Sequence, residues 1–223
     1  MLAFLRHSLV AAALAAMAAP AWAQSIETAA KQAIIVDFAS GQVLMEKNAD
    51  ELMAPSSMSK LMTVYMVFDK LKSGAWKPSD RLPVSETVWK KHVKSGGSLM
   101  FLPVNSTASV EDLLKGVVIQ SGNDACSVLA EAYSGSEEAF AEEETRKARQ
   151  IGLTRSTFKN ASGLPEPGHL MTARDLAVLS RHLIGDFPEY YPLFSQMEFT
   201  FNGIKQGNRN PLLYNTPGAD GLK

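Results

Sequence analysis

Ser57 and Lys60, in "PSSMSK", stand three residues apart. On a helix that spacing sets both side chains on one face, one turn apart. A serine hydroxyl is a weak nucleophile until a base within hydrogen-bond reach takes its proton. Lysine is such a base only as the neutral amine, and burial, a helix N-terminus and a second cation all lower its pKa. The pair therefore suits acyl transfer through a serine ester. The same spacing also suits a capped helix followed by a surface lysine, so position has to decide. The pair opens "SSMSKLMTVYMVFDKLKSG", where Leu61, Met62, Val64, Tyr65, Met66, Val67 and Phe68 put apolar residues on nearly every face. That is the pattern of a buried helix, with Ser56 or Ser57 expected as its cap and Gly74 as its end.

Two further candidates lie downstream. "SGND" places Ser121, Gly122 and Asn123 in a turn between two helical stretches. Ser121 there can relay a proton, and the Asn123 amide can hold a peptide carbonyl. Taken alone, Ser and Asn before a helix read better as ordinary capping residues. The chain as given ends in "GADGLK", and taken alone Lys223 carries no meaning.

These residues need elements to hold them. "AIIVDFASGQVLMEKNAD" reads as strand, turn at Gly41, strand. A loop-rich stretch is expected to about Ala108. "SVEDLLKGVVIQ" opens a helix with Ser109 and Asp112 as its capping pattern. "SGNDACSVLAEAYSG" is a turn and a helix closed by Gly135. "SEEAFAEEETRKARQIG" reads as a charged, solvent-facing helix, with acids early and bases late. "TARDLAVLSRHLIG" repeats the capping logic with Thr172 and Asp175, and Gly185 is expected to stop it. "EFTFNGIKQ" is a hairpin around Asn202-Gly203, and "LLYN" reads as one more short strand. The order points to an α+β fold, with sheet at the chain ends and helices between.

Composition narrows the function classes. The 223 residues are 46% hydrophobic with a formal net charge of −1, which gives no electrostatic case for nucleic acid. One cysteine, Cys126, rules out an internal disulfide and reads as a buried, inert thiol. His7, His92, His169 and His182 show no ligand spacing, so no metal or other cofactor is expected. The first 23 residues have a basic start (Arg6, His7), an Ala-rich apolar run and Ala21-Trp22-Ala23 before Gln24. That is a signal peptide pattern, and it predicts export across the cytoplasmic membrane, with the periplasm as destination if the source has an outer membrane.

Taken together, S-x-x-K, then S-x-N, then a lysine that would begin Lys-Thr-Gly follow the order of the penicillin-interacting serine enzymes. "PSSMSKLMT", "IQSGNDA", "FNGIKQGNRNPLL" and "DGLK" resemble the serine-type D-Ala-D-Ala carboxypeptidases, the low-molecular-mass penicillin-binding proteins. "IGLTRSTFKNASGL" and "TARDLAVLSRHLI" share that character, so the resemblance runs from about Ala33 to Lys223. Ser56 and Ser59 stand where the family has Ala and Thr, and "EETRKARQIG" lacks the usual Met-Asn. The Thr-Gly after Lys223, the strands that follow it, the C-terminal β-rich domain and the amphipathic membrane-anchoring helix are not in the 223 residues. The chain is therefore expected to be cut at the third motif.

The resemblance implies a β-lactamase/transpeptidase-like α+β fold over residues 24–223, a helical cluster on an antiparallel sheet that is incomplete in this chain. It implies Ser57 as nucleophile, Lys60 as its base, Ser121 as proton relay and Asn123 orienting the peptide. Lys223 would face the substrate's terminal carboxylate and, as a like charge, help keep Lys60 neutral. Backbone N–H groups of Ser57 and of the Lys-Thr-Gly strand would form the oxyanion hole. The implied substrate is the D-Ala-D-Ala end of peptidoglycan stem peptides, and β-lactams would acylate Ser57 as covalent inhibitors. A D,D-endopeptidase or transpeptidase, a class A-like β-lactamase and a silent penicillin-binding fragment are the alternatives. Arg209 is a further candidate for a substrate carboxylate. "SGGSLMF", residues 95–101, is a candidate border of the groove. Class A enzymes use a loop glutamate as deacylation base, and "PEPGHLMT" contains Glu166 before a proline, but with no Asn following it reads as an exposed loop residue.

Overall fold

The computed structural model describes residues 27–95 and 97–223; the expected signal peptide, residues 1–23, lies outside them. The chain divides after Ala30, and all the elements below belong to the unit Lys31–Lys223.

The buried helix is where the sequence places it. α1 (Lys60–Lys72) buries Leu61 through Phe68 on every face. A 3₁₀ turn, Ser56–Ser59, leads into it. Neither this turn nor α1 has a side-chain cap, which corrects the expected serine cap. Ser56 instead adopts φ 49°, and its carbonyl accepts from Ser59 Oγ at 3.2 Å. The turn thus satisfies itself and leaves the Ser57 hydroxyl uncommitted to capping. Three later helices pack around α1: α4 (Asn123–Ser134), α5 (Glu137–Gln150) and α6 (Ala173–Asp186). The far end of α1 is locked by aromatics: Phe68 meets Phe187 edge-on at 5.6 Å and Tyr190 at 5.1 Å. Such pairs add about 0.5–1.5 kcal/mol each beyond area burial.

The stretch expected as loop contains α2 (Glu86–His92), capped by Ser85, whose hydroxyl accepts from the Val88 N–H at 3.1 Å. α3 (Val110–Lys115) begins at Ser109 as expected and then widens into a π-helical turn, Gly116–Gln120. That turn ends at Ser121, a non-glycine residue at φ 64°. α6 is capped by Thr172. Asp175 does not complete the box, because its carboxylate accepts from Arg155 N–H at 3.0 Å and Ser156 Oγ at 2.6 Å. Gly185 does not stop α6 either; the helix runs to Asp186 and breaks at Phe187, just before Pro188.

Strands are short. β1 (Ala33–Val36) pairs with β2 (Val43–Lys47) across the Gly41 turn. β5 (Glu198–Phe201) pairs with β6 (Ile204–Gly207) across Asn202-Gly203, both at positive φ. Those two positive φ values match the twist of the flanking strands, which is why Asn-Gly marks the hairpin. A third ladder, β3 (Arg81–Pro83) with β4 (Thr107–Ser109), lies in the middle of the chain, where no strand was expected. "LLYN" is a helical turn, Leu212–Asn215, not a strand. Pro211 fixes its first φ, and Asn210 Oδ1 accepts from the Leu212 N–H at 3.1 Å. "DGL" before Lys223 is irregular: no described ladder runs beside it. Tyr191 ties it instead, donating to Asp220 Oδ1 at 2.9 Å.

Candidate active site

Ser57 Oγ lies 3.1 Å from Lys60 Nζ. The two are one turn apart, as their spacing requires, with Ser57 half-buried and Lys60 fully buried. The Lys60 ammonium also donates to the Ser162 carbonyl in a short hydrogen bond. Burial pushes the Lys60 pKa below the ordinary lysine value, and the Arg209 guanidinium adds to this. Cys126 lies in the same interior. Burial raises its thiol to about 12, so at neutral pH it is an uncharged sulfur and no counter-ion for Lys60.

The π-helical turn delivers the other side of the site. Its wider winding leaves carbonyls free of the usual helical partners. Gly122 N–H donates to the Gly116 carbonyl at 2.9 Å, Arg209 N–H to Ile119 at 3.1 Å and Lys223 Nζ to Val117 at 3.0 Å. Lys223 as a whole is half-exposed, but its ammonium reaches inward to that carbonyl. Burial, followed by the Lys60 charge, lowers its pKa to about 7. Coulombic coupling is reciprocal, so each ammonium disfavours the other and one of the pair is easily deprotonated.

Ser57, Ser121, Arg209 and Lys223 line one cleft of about 160 Å³, with Val118, Asn208 and Asn210. Ser121 is no cap: Gly122 holds the N-cap position of α4 without a side-chain bond. Among the described residues the buried Ser121 hydroxyl has no hydrogen-bond partner. An orphaned buried hydroxyl costs about 1–3 kcal/mol, and its left-handed backbone about 1–2 kcal/mol more. Fold stability gives no reason to keep both. Asn123 is buried beside the cleft instead of lining it, and its amide abuts Gly97, where a Cβ would come within 2.6 Å. Gly97 and Ser98 therefore do border the site. The exposed Arg209 donates to Ser98 Oγ, and Asn208 anchors the Arg209 loop through Nδ2 to the Gln196 carbonyl at 2.9 Å. Glu166 is exposed on its loop and is not among the residues lining the cleft.

Two features of the site were not foreseen, the carbonyls that hold its lysines and the buried face of α5. The carbonyls of Ser162 and Val117 hold the two lysines, and any residue type offers a carbonyl, so no letter could signal them. The helix expected to face solvent, α5, turns Glu144 fully inward and leaves the Glu137 side chain 11% exposed. A signal existed: Phe140, Ala141, Glu144 and Ala148 form one stripe at helical spacing, all buried.

The chain is similar to known proteins in both sequence and fold. The sequence model of D-alanyl-D-alanine carboxypeptidases matches residues 16–223. The D-alanyl-D-alanine carboxypeptidase DacC of Escherichia coli is 46% identical over 193 residues, which cover 85% of this chain and 48% of that protein. Penicillin binding protein 5 from Haemophilus influenzae superposes with a TM-score of 0.81 at 39% identity, over 85% of this chain and 55% of that one. Penicillin-Binding Protein D2 from Listeria monocytogenes, in its cefotaxime-bound form, gives 0.78 at 30% identity, over 89% and 79%. The chain spans about half the length of the curated relatives it matches. With a serine and a buried lysine in contact, a second serine lining the same cleft, and a family match over all the described residues, the chain belongs to the D-alanyl-D-alanine carboxypeptidase family.

Proposed function

We propose that residues 24–223 are the catalytic domain of a serine D-Ala-D-Ala carboxypeptidase that trims peptidoglycan stem peptides. The observation that carries the reading is the Ser57 hydroxyl 3.1 Å from a fully buried Lys60 amine whose pKa is lowered by that burial. Neutral Lys60 takes the Ser57 proton as Oγ attacks the carbonyl between the terminal D-alanines. The Ser57 N–H is one donor to the oxyanion. As the C–N bond breaks, the proton passes through Ser121 to the departing amine, and free D-Ala leaves. Water then attacks the Ser57 ester and returns the hydroxyl. Lys223 and the exposed Arg209 supply positive potential for the substrate's terminal carboxylate, and Asn123 orients the peptide. The unpartnered Ser121 hydroxyl supports its place in the relay.

β-Lactams present a similar carboxylate beside a strained amide and would acylate the same oxygen. Residues 1–23 would direct export, placing the enzyme in the periplasm. The test is a labelled penicillin, followed by peptide mapping and by assay of D-Ala release from a pentapeptide. An adduct on Ser57, with one D-Ala released per peptide, is expected. An adduct on any other residue sinks the assignment.

A further inference from the structure

Behind Lys60 lies a polar network that the reaction does not touch. The segment Asn160-Ala161-Ser162-Gly163 supplies the carbonyl that holds the Lys60 ammonium. Asn160 Oδ1 ties the segment locally, accepting from Ser162 N–H at 3.2 Å and Gly163 N–H at 2.8 Å. Two carboxyl groups from α5 then hold the two backbone groups of Ala161, Glu137 directly and Glu144 through Thr63. Glu137 Oε1 accepts from the Ala161 N–H at 3.1 Å. Its other oxygen accepts from Lys91 at 2.6 Å and Ser127 Oγ at 2.8 Å. A carboxyl that only accepts, and is paired with an ammonium, is an ionised one.

The other end behaves differently. Thr63 Oγ1 lies 2.7 Å from the Ala161 carbonyl oxygen and 2.8 Å from Glu144 Oε1. A threonine hydroxyl has one proton, and neither a carbonyl nor a carboxylate can donate. If Glu144 were ionised, one of these two short oxygen–oxygen contacts would have no proton in it. A proton on Oε1 satisfies both: Glu144 donates to Thr63, and Thr63 donates to Ala161. The remaining oxygen, Oε2, is buried without a partner, which a neutral acid tolerates better than an anion. Burial, with the Glu137 charge in support, raises the Glu144 pKa well above the carboxylate range, in agreement with this proton count.

We propose that Glu144 is a positioning residue held as a neutral carboxylic acid, its proton chain through Thr63 to the Ala161 carbonyl setting the Ser162 carbonyl against Lys60. Glu137 and Glu144 are thus a pair of opposite protonation state, one for the N–H and one, through Thr63, for the carbonyl of a single residue, Ala161. This rests on the reading of Ser57 and Lys60 as the acylating pair.

The test compares Ser57 acylation by a labelled penicillin in Glu144→Gln, Glu144→Leu, Thr63→Ser and Thr63→Val, with an infrared difference spectrum of wild type against Glu144→Gln at neutral pH. A glutamine amide and a serine hydroxyl can both still donate, so those two variants stay within about threefold of wild type. Glu144→Leu and Thr63→Val break the chain and slow acylation on the order of 100-fold, the size of effect a misplaced reacting group gives. The infrared spectrum shows a carboxylic-acid C=O band that Glu144→Gln removes. Glu144→Gln acylating as slowly as Glu144→Leu, or no such band, overturns the proposal. So does wild-type speed in all four variants. A wild-type protein that penicillin does not label overturns the acylation reading instead, and the infrared band still decides whether Glu144 is protonated. That band needs no variant of reduced stability.

Discussion

Gly163 packs against Ser56 so closely that a Cβ on it would lie 1.8 Å from the Ser56 carbonyl oxygen and 2.5 Å from Ser59 Oγ. Gly163 also sits at φ 78°, a region that side chains rarely adopt. The contact joins the carbonyl-bearing segment 160–163 to the turn that carries the nucleophile. A missing side chain therefore helps set the distance between Lys60 and Ser57.

For Gly163→Ala we expect loss of both stability and reactivity. The colliding atom is backbone, so the Ser56–Ser59 turn has to move. Strain at the positive φ and the clash together cost about 2–4 kcal/mol. Thermal unfolding measures the first effect and the labelled-penicillin acylation rate the second. A variant with native melting temperature and native acylation rate would refute the role given to this contact.

Lys60→Arg keeps a cation at the site and removes the base. A guanidinium does not lose its proton near neutral pH, and its planar fork does not fit the tip of the Ser57 hydroxyl. We expect acylation to fall by about 100- to 10,000-fold, the usual range for losing a general base. The single-turnover rate with a chromogenic β-lactam measures it. Acylation within tenfold of wild type would show that Lys60 is not the base.

The parts of this site that sequence reveals are those fixed by local spacing. Ser57 and Lys60 are one helical turn apart whatever the rest of the chain does, and the apolar run after them already says the lysine is buried. Asn202-Gly203 and Gly41 announce their hairpins for the same reason, through φ values that those residues tolerate. Ser121 and Lys223 are different. They are 102 residues apart in the numbering, and only family resemblance placed them together. The π-helical turn is hidden in the plain apolar run "GVVIQ", because nothing in its residue types distinguishes it from an α-helix. α2 was missed because its seven residues, Glu86–His92, are too short for a periodic pattern. Glu144 was misread because the charge of its helix outweighed the buried stripe it belongs to.

Lys223→Met tests the charge balance. The Lys60 charge lowers the proton affinity of Lys223, behind burial, and by reciprocity a charged Lys223 lowers that of Lys60. Replacing Lys223 with an uncharged side chain lets Lys60 keep its proton to higher pH. The acid limb of the acylation profile therefore moves upward in pH. The apparent affinity for a β-lactam, whose carboxylate loses a cation, falls as well. The second-order acylation rate measured across pH shows both. An acid limb that stays in place or moves downward would mean that the two lysines are not coupled.

Glu144→Gln yields a stability prediction whose sign follows from the proton count. The folded-state pKa of Glu144 is raised, so the folded protein holds a proton that the unfolded chain releases above about 4.3. Wild-type stability is penalised wherever unfolding releases that proton. The penalty is absent below the unfolded pKa, grows as pH rises, and levels off above the folded pKa. Glutamine has no such proton. The melting temperature of Glu144→Gln relative to wild type should thus be lowest at acid pH and climb steadily through neutral. An ionised Glu144 held by a partner would give the opposite slope, because its folded pKa would be depressed and its stabilisation present at neutral pH and lost in acid. Parallel melting curves from acid to neutral pH separate the two, and a relative melting temperature that falls as pH rises would show that Glu144 is buried as an anion.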